Sequence, residues 1–143
     1  MVGPQISQGQ GKRTARRVLA TEPQLRVEVS AEEISTLLGI QGVNLITYTA
    51  TIKPDGTLHG EGEGAFATPD GQTVTWKGLG VGRFGEAGAV YYCGSLSYTT
   101  TSPQFARLNG LAGIFQFEVD AQGNTRSTAF EMAPAGAAQS AKA

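Results

Sequence analysis

Cysteine, histidine and tryptophan occur once each in this chain, at Cys93, His59 and Trp76. A single cysteine excludes an internal disulfide, and one cysteine with one histidine cannot supply a tetrahedral zinc site of those ligands. The usage fits a reducing, cytoplasmic setting, and no metal or cofactor is expected. Charge of either sign is also scarce: 16% of residues are charged, and eleven Lys and Arg stand against twelve Asp and Glu. With a net charge of -1 there is no overall attraction to nucleic acid or to an anionic membrane. No apolar run approaches the ~20 residues of a membrane span. The N-terminus lacks the charged start and apolar core of a signal peptide.

Glycine is what the chain has in abundance. Twenty glycines in 143 residues, with 40% apolar residues, suit one β-rich domain with many tight turns and closely packed strands. Residues 1–11 and 133–143 carry no apolar periodicity and are expected to be flexible tails, leaving 12–132 as the folded domain. Lys12, Arg13, Arg16 and Arg17 form a basic cluster without interleaved aromatics, which suits a solvated strand edge better than a nucleic-acid arm. From Gln24 the alternation is strict, with Leu25, Val27 and Val29 on one face and Arg26, Glu28 and Ser30 on the other. The following A-E-E-I-S-T-L-L-G suits either a short helix or a strand, and a strand or turn-and-strand is the preferred reading.

Two Pro-Asp-Gly loops, at 54–56 and 69–71, predict hairpins with glycine in the left-handed position, and they set a register. Lys53 opposite Thr57 places Ile52 against Leu58, Tyr48 against Gly62 and Thr47 against Glu63. Thr68 opposite Gln72 places Phe66 against Val74, Gly64 against Trp76 and Glu63 against Lys77. Both registers set large rings opposite glycines and an acid opposite a base, pairings that stabilise sheets. Extended through F-G-E-A-G, the pattern pairs Gly82 with Val90, Gly80 with Tyr92 and Trp76 with Leu96. Asp120 opposite Asn124 then sets Glu118 against Arg126 and Phe115 against Ala129. Ser102-Pro103 and Asn109-Gly110 bracket one or two helical turns. The expected fold is all-β: a single closed antiparallel barrel, mostly meander, of seven to eight strands with a short helical turn near 102–109 closing one end.

At about eight strands a barrel interior is either filled by side chains or holds one small ligand. The inner wall is expected to carry Ile46, Tyr48, Phe66, Trp76, Tyr92, Leu96 and Tyr98 with glycines between them. Its polar groups are Tyr48, Tyr92, Tyr98, the Trp76 indole and Glu131, which shares the parity of Phe115 and Phe117. A carboxyl on an apolar wall would have a raised pKa and act as proton donor or base. Glu131, Tyr92 and Tyr48 are therefore the candidate catalytic groups. Trp76, Tyr98, Phe66, Phe115, Phe117 and Leu96 are the candidate ligand contacts, with Asn109 at the closing turn.

Other motifs favour bland readings. Gly80-Val81-Gly82-Arg83-Phe84-Gly85 matches G-x-G-x-x-G, but a strand follows it where a dinucleotide site needs a helix. His59, Glu61 and Glu63 share a face opposite the aromatics, so a solvated surface is preferred to a cation site. Ala65, Ala67, Leu79, Val81, Tyr91 and Cys93 make the outer face apolar, as at a subunit interface, so a homo-oligomer (dimer or trimer) is expected.

The runs P-D-G-T-L-H-G-E-G-E-G, W-K-G-L-G-V-G-R-F, G-S-L-S-Y-T-T and A-R-L-N-G-L-A-G-I-F-Q-F-E-V-D-A-Q-G-N-T resemble short bacterial and archaeal proteins of unknown function. That group looks like the allene-oxide-cyclase-type, calycin-like barrels. The resemblance implies homo-oligomers and, in some members, cyclisation of a bound hydrophobic substrate. The expected function is binding of a hydrophobic small molecule, with cofactor-independent cyclase or isomerase activity as its enzymatic form. The alternative is a filled barrel serving as an oligomeric structural module without activity.

Overall fold

The computed structural model describes residues 2–136. Eight strands follow in chain order: β1 (Gln5–Ala20), β2 (Arg26–Leu37), β3 (Ile40–Ile52), β4 (Leu58–Ala67), β5 (Thr73–Phe84), β6 (Val90–Thr99), β7 (Ala112–Val119) and β8 (Asn124–Met132). Each pairs antiparallel with its neighbours, and β1 pairs with β8 to close an all-meander barrel. A 3-10 turn (Glu86–Gly88) links β5 to β6, and a longer 3-10 helix (Pro103–Gly110) links β6 to β7.

Local chemistry accounts for the hairpins. Gly56 and Gly71 end the two Pro-Asp-Gly loops at φ of 86° and 88°, in the left-handed region that glycine adopts without strain. The Lys53 N–H donates to Thr57 O at 2.8 Å and the Thr68 N–H to Gln72 O at 2.9 Å. A third aspartate, Asp120, begins the β7–β8 turn, where the Asp120 N–H donates to Asn124 O at 2.9 Å. Hydrogen bonds from Thr57, Thr68 and Asn124 hold the Asp55, Asp70 and Asp120 carboxyls below their usual range. The resulting pairings include Tyr48 with Gly62, Gly64 with Trp76, Glu63 with Lys77 and Phe115 with Ala129, as the turn arithmetic requires.

Three expectations are corrected or resolved. Gly82 pairs with Tyr92, Gly80 with Gly94 and Trp76 with Tyr98, two residues out of the expected β5–β6 register. The loop closes instead between Gly85 and Ala89, with Ala87 and Gly88 at positive φ. A slip of two keeps every side chain on its face, so the inner wall is unchanged. Residues 5–11, set apart as a tail, form the first half of β1 and pair with both β2 and β8. Their inward side chains are Ile6 and Ser7, followed by Gly9 and Gly11, so a single apolar residue leaves no alternation to read. The 31–37 stretch is strand, ended by Leu38 and Gly39 at positive φ. Of the expected C-terminal tail, 133–136 lie outside any strand and 137–143 lie outside the described residues.

The core has two layers. At one end Ile6, Leu37, Phe66, Val74, Tyr98 and Ala129 pack around Phe105 and Leu108 of the 3-10 helix, both fully buried. This helix plugs that end, with Phe105 edge-on to Phe66 at 5.9 Å between centroids. Towards the other end Ala31, Ile46, Leu58, Tyr92, Phe117 and Val119 form the second layer.

Candidate functional site

On β3 to β7 the inward positions alternate rings with bare backbone, and the register decides which ring covers which glycine. A Cβ on Gly82 would stand 2.6 Å from the Tyr92 ring, and one on Gly60 3.2 Å from it. Leu96 covers Gly78 in the same way, and the tip of Phe115 reaches Gly80. The rings then meet one another. Tyr48 lies edge-on to Tyr92 and to Phe117, with centroids 5.5 and 5.6 Å apart.

Between these rings and Trp76 lies a cavity of about 100 Å³. Ile46, Tyr48, Trp76, Tyr92, Leu96, Phe115 and Phe117 make its apolar wall, and Ser7, Asn44 and Ser127 bring polar atoms to it. The Trp76 Nε1–H donates to Asn44 Oδ1 at 2.9 Å. Because an indole N–H only donates, this bond orients the amide and leaves the Asn44 NH2 group free to donate. Burial drives the Tyr48 phenol well above its ordinary pKa. The neighbouring Tyr92 adds to the rise, while the Arg13 and Arg16 charges act against it. Burial alone pushes Tyr92 up to about 12. Both phenols are therefore neutral proton donors near neutral pH and not bases.

The buried carboxylate of the barrel is Glu33, on β2, with 1% of its surface exposed. It reaches across β1 to β8, where the Thr125 hydroxyl donates to Oε2 at 2.8 Å and the Ser127 hydroxyl to Oε1 at 2.6 Å. Glycine makes the crossing possible. A Cβ on Gly9 would stand 2.6 Å from Glu33 Oε1, and one on Gly11 would run into the Glu32 carbonyl oxygen. Burial raises the Glu33 pKa, and the hydrogen bonds from Ser127 and Thr125 oppose that rise.

Six of the residues expected in a site meet at the cavity: Tyr48, Trp76, Tyr92, Leu96, Phe115 and Phe117. Four do not. Phe66 and Tyr98 belong to the layer packed on the 3-10 helix, and the buried Tyr98 hydroxyl has no hydrogen-bond partner. Glu131 does have inward parity, opposite Gly113, but Arg107 takes its carboxylate at 2.8 Å. The expected carboxyl on an apolar wall is thus an ion pair at the barrel's end. Asn109 is occupied in both directions: its Oδ1 accepts from the Thr100 N–H at 2.9 Å and its Nδ2 donates to Thr100 O at 3.0 Å. It clasps the 3-10 helix to the end of β6. Sequence reasoning missed Ser7, Asn44, Ser127 and Glu33. Asn44 shares the parity of Ile46 and Tyr48, and Glu33 that of Val29, so alternation was the signal that pointed to both.

The remaining motifs face outward. His59 Nε2 lies 3.5 Å from Glu61 Oε1, with both side chains exposed, and Glu63 stands opposite Lys77. Gly80 and Gly82 of the G-x-G-x-x-G run are strand residues beneath Phe115 and Tyr92. Leu79, Val81 and Tyr91 are exposed on β5 and β6, next to the exposed Cys93. Among the described residues no helix is long and apolar enough to cross a membrane.

No family model matches the chain, and no curated protein matches it. Solved structures do. A conserved protein of unknown function from Rhodopseudomonas palustris aligns with a TM-score of 0.73 at 13% identity, over 92% of this chain and 98% of its own. A protein of unknown function from Clostridium acetobutylicum aligns at 0.77 and 12%, over 89% and 95%. A beta-barrel like protein from Acinetobacter baumannii aligns at 0.77 and 12%, over 92% and 94%. At these identities the likeness extends to the fold, and the chain is a β-barrel of the kind found in these uncharacterised bacterial proteins.

Proposed function

We propose that the protein binds a small, largely apolar molecule inside its barrel. The cavity of about 100 Å³ carries this reading. Protein interiors are close-packed, and an apolar void leaves its lining without contact partners, so a hole among seven large side chains is a place for a ligand to gain them. Its size limits the occupant. A cavity of ~150 Å³ takes benzene, so a rigid guest here is at most about the size of that ring. A longer molecule enters only if Tyr48, Tyr92 or Phe117 turns aside.

If the protein is an enzyme, cofactor-independent isomerisation or cyclisation is the chemistry that suits these groups: packed rings fold the substrate, and the neutral phenols of Tyr48 and Tyr92 donate a proton. The resemblance to allene-oxide-cyclase-type barrels supports the same class. A cytoplasmic location accords with the exposed free thiol of Cys93. Native mass spectrometry and a thermal-shift screen with small hydrophobic compounds test the reading. A co-purifying or stabilising apolar compound is the expected result, and a clean apoprotein stabilised by no compound overturns it.

The outward row of Leu79, Val81 and Tyr91 favours a second role, self-association into a dimer or trimer through β5 and β6. Light scattering should then show an oligomer that Val81→Lys dissociates. A monomeric wild type ends that reading without touching the first.

A further inference from the structure

The polar atoms of the cavity wall differ in what they have left to offer. Glu33, buried and reached by two hydroxyls, accepts hydrogens from both Thr125 and Ser127 as a carboxylate. Ser127 has one hydrogen, and this bond uses it; what remains on its oxygen is acceptor capacity. Asn44 is the reverse, since its oxygen is taken by the Trp76 indole and its NH2 group remains. Ser127 and Asn44 line the same cavity.

We infer that Glu33 sets the polarity of the cavity, so that the ligand is a small alcohol or enol: an apolar body bearing one hydroxyl that donates to Ser127 and accepts from Asn44. A ketone can use only Asn44, and a hydrocarbon neither. The carboxylate behind Ser127 also disfavours an anionic guest. Glu33 is here a positioning residue, acting through the Ser127 hydroxyl, and the inference rests on the cavity being a ligand site.

The test uses three ring compounds of matched size, cyclopentanol, cyclopentanone and methylcyclopentane, titrated into the full chain. Trp76 is the chain's only tryptophan, so its indole N–H resonance and its fluorescence both report on the cavity. Cyclopentanol should bind about tenfold more tightly than cyclopentanone, the ratio that one additional hydrogen bond supplies, and more tightly still than methylcyclopentane, which lacks both bonds. In Ser127→Ala its affinity should fall to that of the ketone, while methylcyclopentane binds as before. Equal binding of alcohol and hydrocarbon, or tighter binding of the ketone, overturns the polarity assignment and leaves the cavity as a ligand site. If none of the three perturbs Trp76, the ligand site itself fails and the assignment with it.

Discussion

From β3 to β7 the inner wall is built of rings over glycines, and from β8 through β1 to β2 hydroxyls gathered on a carboxylate stand among the aliphatic residues Ile6, Ala31, Leu37 and Ala129. In both halves glycine makes the room, at Gly60 and Gly82 for Tyr92 and at Gly9 and Gly11 for Glu33. What fills the room differs. Rings are held by contact with many neighbours and can shift by a few tenths of an ångström, whereas Glu33 is held by two directed hydrogen bonds. The aromatic half therefore tolerates adjustment, and the polar half ties β2 to β8 across β1 at one point.

Gly11→Ala against Gly60→Ala gives the largest expected contrast. The new methyl at Gly11 meets the Glu32 carbonyl oxygen and Glu33 Cα, which are backbone, so about 3 kcal/mol should be lost in urea unfolding. At Gly60 it meets the Tyr92 ring at 3.2 Å, and the change should stay within about 1 kcal/mol. Equal losses would mean that the two halves are equally rigid.

Next come the hydroxyls. Thr125→Val leaves Glu33 Oε2 without its donor and should cost about 2 kcal/mol, whereas Tyr98→Phe removes a buried hydroxyl that has no partner and should be neutral or stabilising. A costly Tyr98→Phe would show that the aromatic half also depends on directed bonds.

Glu33→Gln reads the same contrast through pH. The Glu33 pKa is raised in the fold above its ordinary 4.5, so its contribution to stability is fully present below that value and is lost as pH rises through the folded pKa. The Gln variant lacks this slope. It should be more stable than the wild type at pH 8 and match it near pH 4. Parallel stability curves for the two proteins would remove Glu33 as the source. Asp55, Asp70 and Asp120 act in the opposite sense and at lower pH: their lowered pKa values stabilise the fold above the ordinary 3.8, a contribution lost on further acidification in both proteins.

The smallest effect belongs to Glu131. Its ion pair with Arg107 is solvent-accessible, the two side chains being 22% and 53% exposed, so Glu131→Gln should cost less than about 1 kcal/mol and leave ligand binding to Trp76 unchanged. Weakened binding would restore Glu131 to the site.

Legibility followed the same division. The run Glu61-Gly62-Glu63-Gly64 was readable as a strand because a Pro-Asp-Gly turn flanks it on each side and the rings opposite have partners in sequence. Gln8-Gly9-Gln10-Gly11 carries the same alternation, yet no turn precedes it and its inward positions bear no side chain. It read as a tail. Glu131 was misjudged for a related reason: its parity was right, but the Arg107 that meets it comes from the 3-10 helix, whose placement no strand register supplies.

Period-two alternation and turn chemistry, which act over a few residues, were enough to determine the all-β meander, the faces of β3 to β8 and three hairpin registers, those of β3–β4, β4–β5 and β7–β8. Tertiary structure alone decided the rest: the register in which β1 meets β8, the size of the space left among the rings, and the bond between Glu33 and Thr125, which lie 92 positions apart. Those depend on how the barrel's curvature brings distant strands together, and a buried carboxylate with hydroxyl partners on another strand is stable only once that has happened.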